Sequence, residues 1–287
     1  MIYLILSIIS TASLFVIFRV LSFYRIHTFN TIIINYLIAA LFGLAVTSGN
    51  GIRHSEEWLY ISFIIGIFFI IMFYVIGLST QKTGIAVTTI ASKMSVVIPM
   101  FFSIFYDPGD TLTNLKLAGI ITTLVAVFLI VYRKRTIDFD PRFVFLPVIL
   151  FFGLGFVDSM VKYAQFKYIT DAHITLFATY IFIVSFIAGI MVKLFSKSTI
   201  KSVFSKKTLL MGSLLGICNY GSIYFIVKSL NYRKGAIDGS VVFGVNNLGV
   251  VSLSVILGLF IFKEKLTPIN WVGVAMSIIA IVLLAYS

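Results

Sequence analysis

Long apolar stretches recur along the whole chain and are separated by short polar segments. A helix needs about 20 mostly apolar residues to cross the hydrocarbon core of a bilayer. The breaks carry turn residues, as in Asp107-Pro108-Gly109 and Ser48-Gly49-Asn50-Gly51. The pattern predicts ten membrane-spanning helices, at residues 2–20, 30–47, 58–77, 85–105, 113–132, 143–163, 172–194, 208–228, 236–261 and 269–286.

Two segments of the chain have similar sequences and form an internal repeat. Residues 110–133 read DTLTNLKLAGIITTLVAVFLIVYR, and residues 264–287 read EKLTPINWVGVAMSIIAIVLLAYS. Their offset of 154 residues is about half of the chain, which predicts a half-length unit that is present twice. Each half holds five predicted spans, so the second copy would enter the membrane from the opposite side. The sequence therefore predicts an all-α membrane protein of two inverted five-helix repeats, residues 1–137 and 138–287, with a site between the copies.

The composition excludes a water-soluble protein. Hydrophobic residues make up 60% of the chain, charged residues make up 11%, and the mean hydropathy is +1.10. Soluble domains are about 45–50% apolar and about 25% charged. The N-terminal apolar segment lacks a basic leader and a small-residue cleavage site, so we interpret it as the first span instead of a removable signal peptide. We expect a multi-pass protein of the cell (inner) membrane.

The net charge of +12 is explained by Lys and Arg residues at the ends of the predicted spans. There they would contact anionic lipid headgroups and set the orientation, so a nucleic-acid partner is not expected. The loops after odd-numbered spans hold more Lys and Arg than the loops after even-numbered spans. The positive-inside rule would then place both termini outside the cell.

Small residues predict two close helix contacts. Gly212 with Gly216, and Gly235 with Gly239, have the spacing that lets helix backbones approach each other in a membrane. Pro99 removes a hydrogen bond within the fourth span, so we expect that helix to bend there.

Several short segments carry a family resemblance. In the first half they are Gly77 to Ala86 (GLSTQKTGIA), Val97-Ile98-Pro99, Asp110-Thr111-Leu112-Thr113 and Leu117-Ala118-Gly119. In the second half they are Ser229 to Ala236 (SLNYRKGA), Glu264-Lys265-Leu266-Thr267 and Trp271-Val272-Gly273. Together they resemble the third-to-fifth-span signature of EamA-type carriers in the drug/metabolite transporter superfamily. The resemblance implies a ten-helix inverted-repeat carrier of small solutes with cytoplasmic termini. Because the charge distribution favours the opposite orientation, the orientation stays open.

Two ionisable side chains fall near the centres of predicted spans, where a charge is costly to insert. Lys93 lies in the fourth span and could attract a carboxylate or phosphate, or exchange a proton if it is desolvated. Asp158 lies in the sixth span and is the candidate for proton coupling, with Lys162 one helical turn away on the same face. The alternative is a static salt bridge that joins Asp158 to Lys162 or to Lys93.

Uncharged polar residues interrupt three other spans. Asn246 and Asn247 lie in the ninth span, and their carboxamides suit a neutral or zwitterionic ligand or bond across helices. The same two alternatives apply to a pair of Asn-Tyr dipeptides in the second and eighth spans, Asn35-Tyr36 and Asn219-Tyr220. We predict that these residues bind substrate together with Lys93.

The chain contains no P-loop, no zinc-protease motif and no nucleophile elbow. We therefore expect a protein that is not an enzyme and that needs no cofactor or metal. The predicted function is secondary transport of a small polar or amphipathic metabolite, with amino acids favoured, by alternating access. Transport would be coupled to protons or would be an exchange, and the protein would work in the lipid bilayer as a monomer or homodimer. The alternatives are a membrane-embedded enzyme or lipid-handling protein, whose Lys93 and Asp158 act on a headgroup, and a purely structural subunit.

Overall fold

The computed structural model describes residues 2–47, 57–82, 85–132, 143, 145–195, 203–232, 237–262 and 267–287. Within them lie eleven α-helices and no strand: α1 (Ile2–Phe23), α2 (Thr28–Val46), α3 (Trp58–Lys82), α4 (Ile85–Met94), α5 (Val97–Tyr106), α6 (Asn114–Val131), α7 (Phe145–Lys167), α8 (Ile174–Phe195), α9 (Lys206–Asn231), α10 (Gly239–Phe262) and α11 (Pro268–Ala285). In the described residues, eight of these helices are long and apolar enough to cross a membrane. The chain is an all-α, multi-pass membrane protein.

The helices group into two compact units, and each unit takes helices from both halves of the sequence. Unit 1 comprises Met1–Tyr74 and Ala164–Asn231, and unit 2 comprises Val75–Tyr163 and Tyr232–Ser287. The predicted boundary between the repeats, at residues 137 and 138, lies outside the described residues. So do parts of the motifs that carry the family resemblance, at residues 83–84, 233–236 and 264–266.

Unit 1 is held together by close contact between α2 and α9, which run parallel. A Cβ atom on Gly212 would lie 2.5 Å from the Ile34 side chain, and one on Gly216 would lie 2.7 Å from the Asn35 carbonyl oxygen. Only glycine fits at these points, which confirms the predicted close approach at Gly212 and Gly216.

On the other side of α9, the Ser7 hydroxyl of α1 donates to the Ser222 carbonyl at 3.4 Å.

Unit 2 is built around α6 and α11, the helices that contain the repeated passage. They pack antiparallel, with Gly119 against Leu284 and Gly273 against Ile130. Gly273 follows Gly119 by 154 residues, and Leu284 follows Ile130 by the same number. The two contacts are therefore equivalent under the sequence repeat. Buried apolar residues join this pair to α10: Ala126, Val127, Ile130, Leu248, Val251 and Ala280.

The start of α11 also caps the end of α6. Thr267 is the N-cap of α11 and forms a capping box with Asn270. The Asn270 amide nitrogen then lies within 3.0 Å of the carbonyl oxygens of Leu129, Ile130 and Tyr132. The last carbonyls of a helix have no partner within the helix, so Asn270 satisfies groups that would otherwise be buried without a hydrogen bond.

The predicted fourth span is two helices instead of one. Helix α4 ends at Met94 and α5 begins at Val97. Pro99 has no N–H to donate to the Ser95 carbonyl four residues earlier, and the Ile98 N–H takes that acceptor at 3.0 Å. The Val96 N–H reaches the Lys93 carbonyl only at 3.5 Å. The expected bend at Pro99 is therefore a break, and it leaves the Lys93 carbonyl weakly bonded within its own helix.

Candidate functional site

The break between α4 and α5 lies beside an opposite-charge pair in unit 2. The ammonium of Lys93 on α4 and the carboxylate of Asp158 on α7 attract each other electrostatically. Gly155, one turn before Asp158, packs against Ile98 of α5. The absence of a side chain at Gly155 allows α7 to approach the broken helix, which brings the carboxylate of Asp158 near the ammonium of Lys93.

Asn247 closes the break from α10. Its amide nitrogen donates to the Lys93 carbonyl oxygen at 2.6 Å, which supplies the bond that the broken helix lacks. Asn247 therefore positions the backbone of Lys93. Although Asn247 was predicted to bind substrate, one N–H of its side-chain amide is used in this bond. The neighbouring Asn246 has a buried carboxamide oxygen with no hydrogen-bond partner among the described residues. Such an oxygen can accept a hydrogen bond from a bound solute or water.

The two residues predicted for ion coupling have different partners. Lys162 is 3% exposed, and its ammonium donates to the Asp107 carboxylate at 2.9 Å. Asp158 is opposed by Lys93 instead. Of the pairings that the sequence left open, the Asp158–Lys93 interaction is present. Lys162 is part of a second group of charges near the loop between α5 and α6.

The two Asn-Tyr dipeptides come together in unit 1. The Asn219 amide nitrogen donates to the Asn35 carboxamide oxygen at 3.2 Å. The Tyr36 ring is fully buried beside Phe182, at 6.1 Å between ring centroids. The Tyr220 ring contacts Phe182 at 6.2 Å. The Asn35 amide nitrogen and the Tyr36 hydroxyl are buried without a hydrogen-bond partner among the described residues. Both groups can therefore form a hydrogen bond with a solute or water.

A charged cluster that the sequence analysis missed lies in unit 2, where the α5–α6 loop contacts the start of α10. The Asp110 carboxylate accepts hydrogen bonds from Ser103 Oγ, Ser240 N–H and Ser240 Oγ, each at 2.7 Å, and from Lys116 Nζ at 2.8 Å. Lys116 also donates to the Thr111 carbonyl at 2.7 Å and to Asp238. Lys116 and Asp110 are almost completely buried.

The hydrogen bonds determine the ionisation of Asp110. Burial acts to raise the pKa of its carboxyl, but the bonds from Lys116, Ser103 and Ser240 outweigh burial, so the pKa lies below its usual value of 3.8. The sequence indicates the contact of Lys116 with Asp110 but not its contact with Asp238. Lys116 stands three residues after the N-cap Thr113, close to Asp110, whereas Asp238 is 122 residues away from Lys116.

The described residues contain no group of three or more His, Cys, Asp or Glu side chains that could hold a metal ion. What the arrangement offers chemically is a half-buried ammonium and a half-buried carboxylate beside a helix break. The Asn246 carboxamide oxygen, one residue before Asn247 on α10, has no hydrogen-bond partner among the described residues, and unit 1 holds further buried donors.

Comparisons with known proteins give the fold but no function. No family model matches the chain. An uncharacterized protein of Haemophilus influenzae is 26% identical over 222 residues, which cover 75% of this chain and 71% of the relative. A protein with a solved crystal structure superposes with a TM-score of 0.71 at 14% identity, and the match covers 97% of each chain. The chain therefore shares its fold with that solved structure over almost its whole length.

Proposed function

We propose that this protein is a secondary transporter that carries a small polar or amphipathic solute, an amino acid or a related compound, across the cell (inner) membrane. The observation that carries the proposal is the break between α4 and α5, with the opposed charges of Lys93 and Asp158 beside it. Ionisable groups at membrane depth are costly and mark the paths of solutes and ions. Interrupted helices in carriers expose backbone groups at the substrate site.

We further infer ten crossings and two inverted repeats. The support is the exchange of contacts between α6 and α11, in which Gly119 meets Leu284 as Gly273 meets Ile130. Two antiparallel helices that exchange contacts in this way are related by a two-fold axis perpendicular to them. If the helices cross the membrane, that axis lies in the membrane plane, which is the symmetry that alternating access uses. The inference agrees with the resemblance to EamA-type carriers, and we propose membership of that family.

The chemistry of the site suggests how binding and proton movement are linked. The ammonium of Lys93 is the attachment point for the substrate carboxylate, and the free oxygen of Asn246 accepts a hydrogen bond from the substrate ammonium. When a substrate carboxylate pairs with the Lys93 ammonium, Asp158 no longer has that ammonium as its partner and takes up a proton. With a zwitterionic substrate bound, the protonated site then carries one net positive charge, that of Lys93.

Transport by the purified protein in liposomes tests the proposal. We expect liposomes that contain the protein to accumulate compounds from a radiolabelled amino-acid mixture when a proton gradient is imposed. Lys93→Met should abolish uptake, because the carboxylate loses its ammonium partner. Asp158→Asn should retain exchange of labelled for unlabelled solute but lose the response to the gradient.

The matched control is Asp171→Asn, which removes an ion pair to Lys228 whose carboxylate is 61% exposed. This variant should transport as the wild type does. Uptake equal to that of empty liposomes, or unchanged uptake in Lys93→Met, would contradict the proposal. Recovery of a chemically altered compound would instead favour the membrane-embedded enzyme.

A further inference from the structure

Helix α10 carries both of the side-chain oxygens in the described part of unit 2 that are buried without a hydrogen-bond partner there. They are the Asn246 carboxamide oxygen and the Ser254 hydroxyl. Both residues lie within the continuous helix Gly239–Phe262. A buried polar atom without a partner costs free energy, so each oxygen indicates a further group that bonds to it. The transport site proposed above uses Asn246, whereas Ser254 has no role in it.

The geometry of the α-helix places Ser254 on the side of α10 that faces the proposed site. Ser254 follows Asn247 by seven residues, which is about 20° short of two full turns. Asn247 is the residue that donates to the Lys93 carbonyl oxygen. Seen along the helix axis, Ser254 points between the directions of Asn246 and Asn247. The apolar contacts of α10 with α6 and α11 lie about 90° around the helix from Ser254, at Leu248, Val251 and Val255.

A neighbouring serine on α10 has a packing role that Ser254 lacks. The Ser252 hydroxyl lies 2.9 Å from the Ser277 hydroxyl of α11, and Ser277 donates to the Val274 carbonyl oxygen at 2.7 Å. Ser252 therefore joins two helices, as serine commonly does in membrane proteins. Ser254 points away from Ser252 by more than half a turn, and its hydroxyl contacts no hydrogen-bonding group in the residues that the structure describes.

The separation of the two oxygens on α10 determines the length of a solute that bonds to both. Eight residues separate Asn246 from Ser254, and eight residues of α-helix rise about 12 Å. Two hydrogen bonds of about 2.9 Å each account for about half of that distance, so the bonding groups of the solute lie about 6–7 Å apart. An extended chain advances about 1.2 Å per bond, so about five bonds join these groups. The side chain of glutamine places its amide at this distance from the α-nitrogen.

We propose that Ser254 binds the polar end of the solute's side chain, and that the carrier selects α-amino acids whose side chain ends in an uncharged hydrogen-bonding group at the length of glutamine. The inference rests on the proposed transport function and extends its site along α10. The solute's α-ammonium contacts Asn246, its carboxylate contacts Lys93, and its far end reaches Ser254. A hydroxyl both donates and accepts, so it suits an amide. An uncharged end avoids the cost of burying another charge at membrane depth.

Uptake of two amino acids of equal length tests the role of Ser254 in liposomes that contain the full chain. Glutamine ends in an amide, and norleucine ends in a methyl group. Ser254→Ala should raise the half-saturating concentration of glutamine by about two- to tenfold, which is the worth of one net hydrogen bond. It should leave the half-saturating concentration of norleucine unchanged, because the methyl group makes no hydrogen bond to Ser254.

The matched control is Ser252→Ala, which removes a hydroxyl from the same helix where the bond is to Ser277. This variant should bind glutamine and norleucine as the wild type does. Equilibrium unfolding separates binding from packing: Ser254→Ala should be as stable as the wild type. If Ser254→Ala is clearly less stable, or if it weakens uptake of both solutes equally, the hydroxyl has a partner within the protein and the proposal is overturned.

The same measurements distinguish failure of this inference from failure of the transport proposal. If the wild type takes up neither amino acid nor any other compound of the radiolabelled mixture, transport is refuted and the assignment of Ser254 is refuted with it. If the wild type transports solute but Ser254→Ala keeps the wild-type half-saturating concentration for glutamine, transport stands and the assignment of Ser254 alone is refuted.

Discussion

The crossing of α6 and α11 predicts that two equivalent glycines respond differently to alanine. A Cβ atom on Gly273 would lie 2.6 Å from the backbone nitrogen of Ile130 and 2.9 Å from the backbone carbon of Leu129. Backbone atoms inside a helix cannot rotate away, so α11 would have to move away from α6. A Cβ atom on Gly119 would lie 2.8 Å from the end of the buried Leu284 side chain and 3.4 Å from the Leu284 backbone nitrogen, so the side chain must shift but the helix need not.

The size of each effect follows from these contacts. Overpacking costs about 1–3 kcal/mol when the surroundings must shift. The shift of α11 in Gly273→Ala also stretches the Asn270 hydrogen bonds, which adds about 1 kcal/mol. Alanine returns about 1 kcal/mol through its higher helix propensity. We expect Gly273→Ala to lower the free energy of unfolding by about 1–3 kcal/mol and Gly119→Ala to lower it by about 1 kcal/mol or less.

Equilibrium unfolding in mixed micelles of detergent and dodecyl sulfate measures both variants. The contribution of helix propensity cancels when the two variants are compared, because both changes replace glycine by alanine within a helix. A loss of stability in Gly119→Ala equal to or larger than that in Gly273→Ala would refute the reasoning, as would a Gly273→Ala protein more stable than the wild type.

Three further predictions use the same unfolding measurement. Asn270→Asp places a carboxylate against carbonyl oxygens of α6 and should cost about 2–4 kcal/mol; a cost below about 0.5 kcal/mol would argue against the cap. Because the pKa of Asp110 is lowered by folding, its contribution to stability is complete above its ordinary pKa of 3.8 and is lost as the pH falls below that value. Wild type should therefore lose more stability than Asp110→Asn in that acid range, and parallel profiles would contradict this assignment. Tyr36→Phe removes a buried hydroxyl that has no hydrogen-bond partner in the described part of the chain, and should leave stability unchanged or raise it by up to about 1 kcal/mol. Loss of solute uptake in that stable variant would show that the hydroxyl contacts the solute, whereas a large loss of stability would mean that the hydroxyl has a partner.

The helices could be predicted from the sequence because each apolar stretch is local and long. Even so, the fourth predicted span is two helices. Pro99 predicted a bend, but a break also needs a donor for the Lys93 carbonyl, and that donor is Asn247 on α10. The 154 residues that separate Lys93 from Asn247 equal the offset of the repeated passage, so the two are counterparts in the repeat, but the offset alone does not predict a bond between them.

The polar contacts show the same limit. Lys162 stands one turn after Asp158, a spacing that favours a pair, yet its ammonium contacts Asp107, 55 residues earlier. Helix-surface spacing gives the pairs that are possible within one helix, and tertiary packing selects among all acids that come within reach. The Asp158–Lys93 alternative could be stated from the sequence only because few charges lie at membrane depth.

The cap that Asn270 places on α6 has a consequence for biosynthesis. A ribosome completes Ile130 well before it adds Asn270, which stands 140 residues further along. During that interval the carbonyls of Leu129, Ile130 and Tyr132 have no amide from Asn270, so the nascent protein must keep them hydrated or hold them at the translocon. A stalled or prematurely terminated chain that lacks Asn270 would retain this exposed helix end, and quality-control proteases could use it to recognise the unfinished protein.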